Sequence, residues 1–340
     1  MRRLFLTGLF VSAIAAFVSA PARAAEAGSA NGVKLTKYII GVADLDASYA
    51  FYHALGAEMS GATALKPAAP LPVMLLKLVD VPPGTKFRNA MLKIPGADFA
   101  VEMTEFTNMD LRPGKPRIID PGAALLILTV RDVDAALAAA KKAGATVITA
   151  GGGPVGAGPN NSSRAVIVKD PDSYYVEFVQ PNPLPATTAP ASSNVIAARF
   201  GSVVADAEKA AQFYRDQFGL EAKVNAWNSN ASGPKLTGLT SGQLRTATVT
   251  VPGSTLGWSF IEFKTDGAKP YKLRIPDPGA PAVGLQVANL DAAIGAMKGA
   301  GGSLITTGDG RMKSPDGGGV AFTRDPNGIL VELAQAGSHK

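Results

Sequence analysis

The chain is written twice. Segment 115–123, KPRIIDPGA, returns as KLRIPDPGA at 272–280, an offset of 157 residues. The same offset carries Arg88 onto Arg245, Ile94-Pro95-Gly96 onto Val251-Pro252-Gly253, and Asp132-Val133-Asp134 onto Asn289-Leu290-Asp291. Further on, Asp170-Pro171-Asp172 with Glu177 matches Asp325-Pro326-Asn327 with Glu332 at an offset of 155, and upstream Phe51-Tyr52 matches Phe213-Tyr214 at 162. Such drift is what loop insertions leave in duplicated domains. Between the copies, 181–194 is rich in Pro, Ala, Ser and Thr and has no apolar period, so it reads as a linker. Two homologous domains are predicted, at 33–180 and 195–336.

Each domain is itself two similar halves. Leu35–Val42 is a β-like run, and Asp44 then opens a helix on which Tyr49, Tyr52 and Leu55 recur at helical spacing before Gly56. Strands are predicted at Ala90–Ile94 and Phe99–Phe106 across a Pro95-Gly96 turn. The second half repeats the order: a strand at Leu125–Val130, a helix capped by Asp132 and stopped by Gly144, then strands at Thr146–Ile148, Ala165–Val168 and Tyr174–Val179. Each half reads βαβββ, an α+β unit that must lay its helix on one sheet face to bury its apolar stripe.

Composition limits the chemistry. The chain has no cysteine and two histidines, which excludes disulfides, thiolate metal sites and cysteine nucleophiles. Arg2 and Arg3 precede an apolar run from Leu4 to Val18, and Ala22-Arg23-Ala24 offers small residues, the pattern of a secretory leader. Cleavage is expected near Ala24 or Ala20, giving a periplasmic or secreted bacterial protein with no membrane anchor. The leader's arginines account for half of the net charge of +6. With no basic run and no basic stripe interleaved with aromatics, nucleic acid is not an expected partner.

Four βαβββ units with Val42-Ala43-Asp44-Leu45-Asp46, Phe213-Tyr214 before Gly219-Leu220, and Asp325-Pro326-Asn327-Gly328 before Val331-Glu332 resemble the vicinal oxygen chelate superfamily. That superfamily contains glyoxalase I, extradiol dioxygenases and bleomycin-resistance proteins. The resemblance implies two tandem domains, each a curved mixed-sheet cup with helices outside. Single-domain members commonly pair, so the fused copies would imitate a dimer within a monomer.

In metal-using members each domain supplies ligands from its first and fifth strands and from its fourth and eighth. Carried over, the first- and fifth-strand positions fall on Lys37, Leu125, Arg199 and Ala282, and the carboxylates on Glu102, Glu177, Glu262 and Glu332. Both domains are thus expected to keep a carboxylate pair and to lose both histidines. Lysine and arginine repel a divalent cation, and leucine and alanine carry no donor. No cofactor is expected, and a divalent Fe, Mn, Ni or Zn belongs only to an alternative reading as a lyase, isomerase or dioxygenase. In this register Lys37 would face Glu102 and Glu177, and Arg199 would face Glu262 and Glu332.

Other residues divide between structure and binding. Arg117 with Asp120 and Arg274 with Asp277 fit a turn, and either arginine could also clamp an anion. Trp258 is expected in the core or on a cup wall. His53 lies on a helix face among packing residues. Three readings remain: a metal-free cup binding a small organic molecule, which the substitutions favour; a metalloenzyme; and a structural protein with filled cups. No catalytic residue is assigned.

Overall fold

Every unit begins with a strand, followed within three residues by an Asp or Asn whose side chain caps the next helix. The computed structural model, which describes residues 32–60, 65–228, 232–251, 257–315 and 317–337, places Asp44, Asp132, Asp206 and Asn289 at the N-caps of helices Leu45–Ala54, Val133–Lys142, Ala207–Phe218 and Leu290–Gly299. Each cap is extended, and its side chain accepts from one (Asn289) or two (the aspartates) backbone N–H groups of the first turn that have no partner within the helix. The leader expectation lies outside the described residues.

The strands then follow the predicted order with ends shifted by a few residues, and Glu58–Met59 adds a short strand to unit one that the sequence pattern does not show. Unit one comprises Lys34–Val42, Glu58–Met59, Lys86–Lys93 and Ala100–Thr107; unit two comprises Ala124–Val130, Thr146–Val147, Ser163–Lys169 and Tyr175–Pro181. Unit three comprises Val195–Val203, Glu221–Val224, Gln243–Thr250 and Gly257–Lys264; unit four comprises Pro281–Gln286, Ser303–Leu304, Gly319–Arg324 and Leu330–Gln335.

The fold class is the expected one, four α+β units in two tandem regions. What differs is which units share a sheet. The opening strand of unit one pairs antiparallel with that of unit four, and the opening strand of unit two pairs with that of unit three. Each opening strand also runs parallel to the last strand of its own unit. One cup is therefore built by units one and four and the other by units two and three, each drawing half its strands from either side of the linker. An opening strand has a free edge within its unit, and in both sheets an opening strand from the other repeat satisfies it.

Strand alternation sorts the side chains. Tyr38, Ile40, Leu126, Leu128, Phe200 and Val283 enter one large core with the buried stripes of the four helices, and the Tyr38 and Phe200 rings stack across the two sheets with centroids 4.7 Å apart. The alternate residues face the cups: Ile39, Phe106, Ala282 and Phe322 in the first, Leu125, Ile127, Ile167 and Ile261 in the second. Leu78, at the end of helix Val73–Val79, packs into the first cup, and Leu236 of helix Ser232–Thr237 into the second. A threonine of the opposing unit pins each: Thr306 Oγ1 donates to Leu78 O at 2.8 Å and Thr149 Oγ1 to Leu236 O at 2.9 Å.

The Asp-Pro turns close the last hairpins of units two and four. Asp325 is buried, and its Oδ1 accepts from the Asn327 and Ile329 N–H groups while Oδ2 accepts from Tyr214 Oη and Asn327 Nδ2. Burial outweighs these donors and pushes the carboxyl up to about 6.

Candidate functional site

The register defines four equivalent positions on the floor of each cup. In the first cup they hold Lys37 and Ala282 on the opening strands, Glu102 beside Ile39, and Glu332 beside Gly284. In the second they hold Arg199 and Leu125, Glu177 beside Ile127, and Ser259 beside Gly201.

In the first cup the lysine closes on both acids. Lys37 Nζ lies 2.7 Å from Glu102 Oε2 and 3.0 Å from Glu332 Oε1. Asn89 Nδ2 donates to the other Glu102 oxygen at 2.7 Å. Burial works against the lysine charge, but the two carboxylates more than offset it and hold its pKa above the ordinary lysine value. Burial raises Glu332, Lys37 opposes that shift, Glu102 adds to it, and the net direction is upward. Gly284 makes the closure sterically feasible, because a Cβ there would sit 2.7 Å from Lys37 Cγ.

The second cup differs in kind. Arg199 is exposed and, among the described residues, has no ion pair or hydrogen bond to its side chain. Across the sheet from it, Glu177 is raised by burial, which Arg199 offsets only in part. Around them stand Ile127, Ile167, Ile261, Leu236 and Phe263. Two further cations lie at the Tyr175 end. Lys169 Nζ is 4.9 Å from the Tyr175 ring centroid, and its pKa is lowered by burial and then by the nearby Lys115.

Several sequence expectations are corrected. Lys37 meets Glu102 and Glu332 rather than Glu177, and Glu177 belongs with Arg199, because the sheets join units across the linker. Glu262 is not on a cup floor. Its Oε2 accepts from Ala207 N at 2.9 Å and Arg245 Nε at 2.7 Å, beneath a helix N-terminus. Glu105 does the same for Leu45 N and Arg88 in unit one. The carboxylate pair therefore survives in the first cup alone. Trp258 faces the core, fully buried, with Nε1 donating to Ser202 Oγ at 3.1 Å. Arg117 and Arg274 are committed to their turns: each donates through Nε and Nη2 to both oxygens of Asp120 or Asp277, and each also donates to a backbone carbonyl, of Gly267 or Asp110. His53 is exposed, with Nδ1 3.0 Å from Ala57 O.

Sequence reasoning missed Ser259, Asn89 and the Gly284–Ile127 contrast. The first and last were legible at the 157 offset, which sets Glu102 on Ser259, Glu105 on Glu262 and Ile127 on Gly284.

Two cups of paired βαβββ units define a class of protein, and the comparisons name it. The sequence model of the Glyoxalase/Bleomycin resistance protein/Dioxygenase superfamily matches residues 34–178 and 196–333, so the chain belongs to that superfamily. Among solved structures it is similar to glyoxalase I from Zea mays, with 19% identity over 89% of this chain and 92% of that one and a TM-score of 0.58. It is also similar to a putative dioxygenase from Bacillus subtilis subsp. subtilis str. 168, with 12% identity over 89% of this chain and 84% of that one and a TM-score of 0.52. At these identities the likeness is one of fold. No curated protein matches the chain.

The divalent metal of the superfamily does not fit either floor. In the first cup an ammonium lies between the two carboxylates that would hold it. The second offers one carboxylate, one hydroxyl, a guanidinium and a leucine. Among the described residues, no cluster of three His, Cys, Asp or Glu side chains could hold a metal ion.

Proposed function

We propose that the protein binds a small organic molecule in the second cup without a metal. One observation carries this reading: Arg199 and Glu177 face a common apolar floor without pairing, whereas Lys37, Glu102 and Glu332 are spent on one another. A cup lined by isoleucine, leucine and phenylalanine with a few unspent polar groups is the usual make-up of a small-molecule site. The first cup then serves stability, with an ammonium substituting for the metal's charge. The leader pattern of residues 1–24 supports export, so the ligand would be met outside the cytoplasm.

The test is a fragment screen by thermal shift on the mature chain with EDTA present, with hits located by crystallography. The expected result is a fragment that raises the melting temperature and sits over Ile127. A hit that requires Fe, Mn, Ni or Zn would move the reading to a metalloenzyme, and a screen with no occupant of the second cup would favour a structural protein. Cell fractionation and N-terminal sequencing test export, with the mature protein expected to begin just after Ala24 or Ala20.

A further inference from the structure

The two cups differ at one floor position in a way that points to the ligand's chemical class, an inference that rests on the binding reading above. In the first cup the row across three strands is Lys37, Gly284, Glu332. In the second it is Arg199, Ile127, Glu177. Both rows set a cation and a carboxylate on either side of one residue. Where that residue is glycine, the lysine stem crosses the bare backbone and the charges meet at 3.0 Å. Where it is Ile127, a buried side chain packed with Leu125, Ile167 and Ile261 stands between them, and no ion pair forms.

We infer that Ile127 holds Arg199 and Glu177 apart to receive the carboxylate of an apolar organic acid, seated over the isoleucine with its hydrocarbon body against Ile261 and Phe263. A guanidinium offers a carboxylate two parallel N–H donors. The remaining charges near this floor agree. Arg199 is the charged group that acts on Glu177, Lys169 and the neighbouring Lys115 add cations at the Tyr175 end, and Arg117 is already neutralised by Asp120. Burial favours the protonated form of Glu177, in which it would donate to the ligand's second oxygen instead of repelling it. An amine seated there would meet the Arg199 guanidinium and one reluctant carboxylate.

Three matched probes test this on the full mature chain: benzoate, benzylamine and benzyl alcohol, measured by calorimetry with EDTA. Benzoate is expected to bind and the other two to bind at least about tenfold more weakly, the scale of a charge-assisted hydrogen bond. Arg199→Met should weaken benzoate by about tenfold or more. Ile127→Gly should do so through an Arg199–Glu177 ion pair visible in its crystal structure, and Ile127→Ala serves the same purpose if the glycine variant does not fold. Benzylamine or benzyl alcohol binding as tightly as benzoate, or benzoate indifferent to Arg199→Met, would overturn the assignment while leaving a binding cup. Failure of all three probes while other fragments occupy the cup would also overturn it. An empty cup in every screen would overturn both this inference and the function beneath it.

Discussion

Replacing Lys37 by methionine removes the ammonium and keeps the length of the side chain. Glu102 and Glu332 would then face each other with only Asn89 donating to either. Losing one partner of a fully buried ion pair costs about 3–5 kcal/mol. Here the Lys37, Glu102 and Glu332 side chains retain 22%, 12% and 12% exposure, so water screens part of the loss and about 2–3 kcal/mol is expected at pH 7.5. The cost should depend on pH. Glu332 already sits above its ordinary value with the lysine present, and without it the acid would rise further. A carboxyl whose folded pKa is raised is at its most favourable when protonated, and stability is lost as pH climbs through that range. Urea denaturation of wild type and Lys37→Met at pH 7.5 and 5.0 should therefore show a deficit that shrinks at the lower pH to about 1 kcal/mol or less. Adding Glu332→Gln to the variant should recover most of the loss at pH 7.5. A deficit equal at both pH values, or none at pH 7.5, would refute the claim that the lysine is neutralising two constrained carboxylates.

Other outcomes follow from the same structure. Lys37→His would set a neutral donor beside two carboxylates, and Zn²⁺ should raise the melting temperature of this variant but not of the wild type; identical responses would count against the metal-surrogate role. Asp325, pushed up to about 6, is held ionised at neutral pH at a cost of about 3 kcal/mol. Asp325→Asn cannot titrate, so its stability relative to wild type should improve by about that amount between pH 4 and pH 7, and a flat difference in chemical denaturation would sink the argument. Trp258→Ala should lose about 3–5 kcal/mol by urea titration, since the ring is fully buried against Tyr214, Phe200 and Phe260. Gly41→Ala should destabilise markedly in the same assay, because its Cβ would fall 2.6 Å from Asp277 O where Gly41 N and O bond Ala280 and Gly279.

Local chemistry was readable and partner choice was not. The Asp44 and Asp132 caps announce themselves because capping is settled within a few residues. Glu102 and Glu332 follow from the superfamily resemblance, which points to the fourth and eighth strands, and Glu332 also from the repeated Asp-Pro segment that precedes it. Lys37 was given Glu177 as a partner because period-two alternation fixes which face a side chain takes but not which strand lies next door. That neighbour is decided by packing of four helices and two sheets at once. Glu262 was misplaced for a different reason: it lies three residues beyond the position matching Glu102, and an odd step along a strand turns a residue to the opposite face. Arg88 and Arg245, aligned at the 157 offset, mark Glu105 and Glu262 as the helix-side acids.

The nesting of the two sheets bears on how the chain folds. Val195–Val203 reaches Ala124–Val130 soon after synthesis, whereas Thr36 waits for Gly284, 248 positions away, before its hydroxyl finds that carbonyl. Closing the longer loop costs more chain entropy and is slower. Folding is therefore expected to run from the inside out, with the sheet of units two and three forming before the sheet that carries Lys37. Until the end of the chain arrives, the edge of Lys34–Val42 stays open to mispairing with other molecules. Pulsed hydrogen exchange during refolding that protected Lys34–Val42 ahead of Ala124–Val130 would contradict this order.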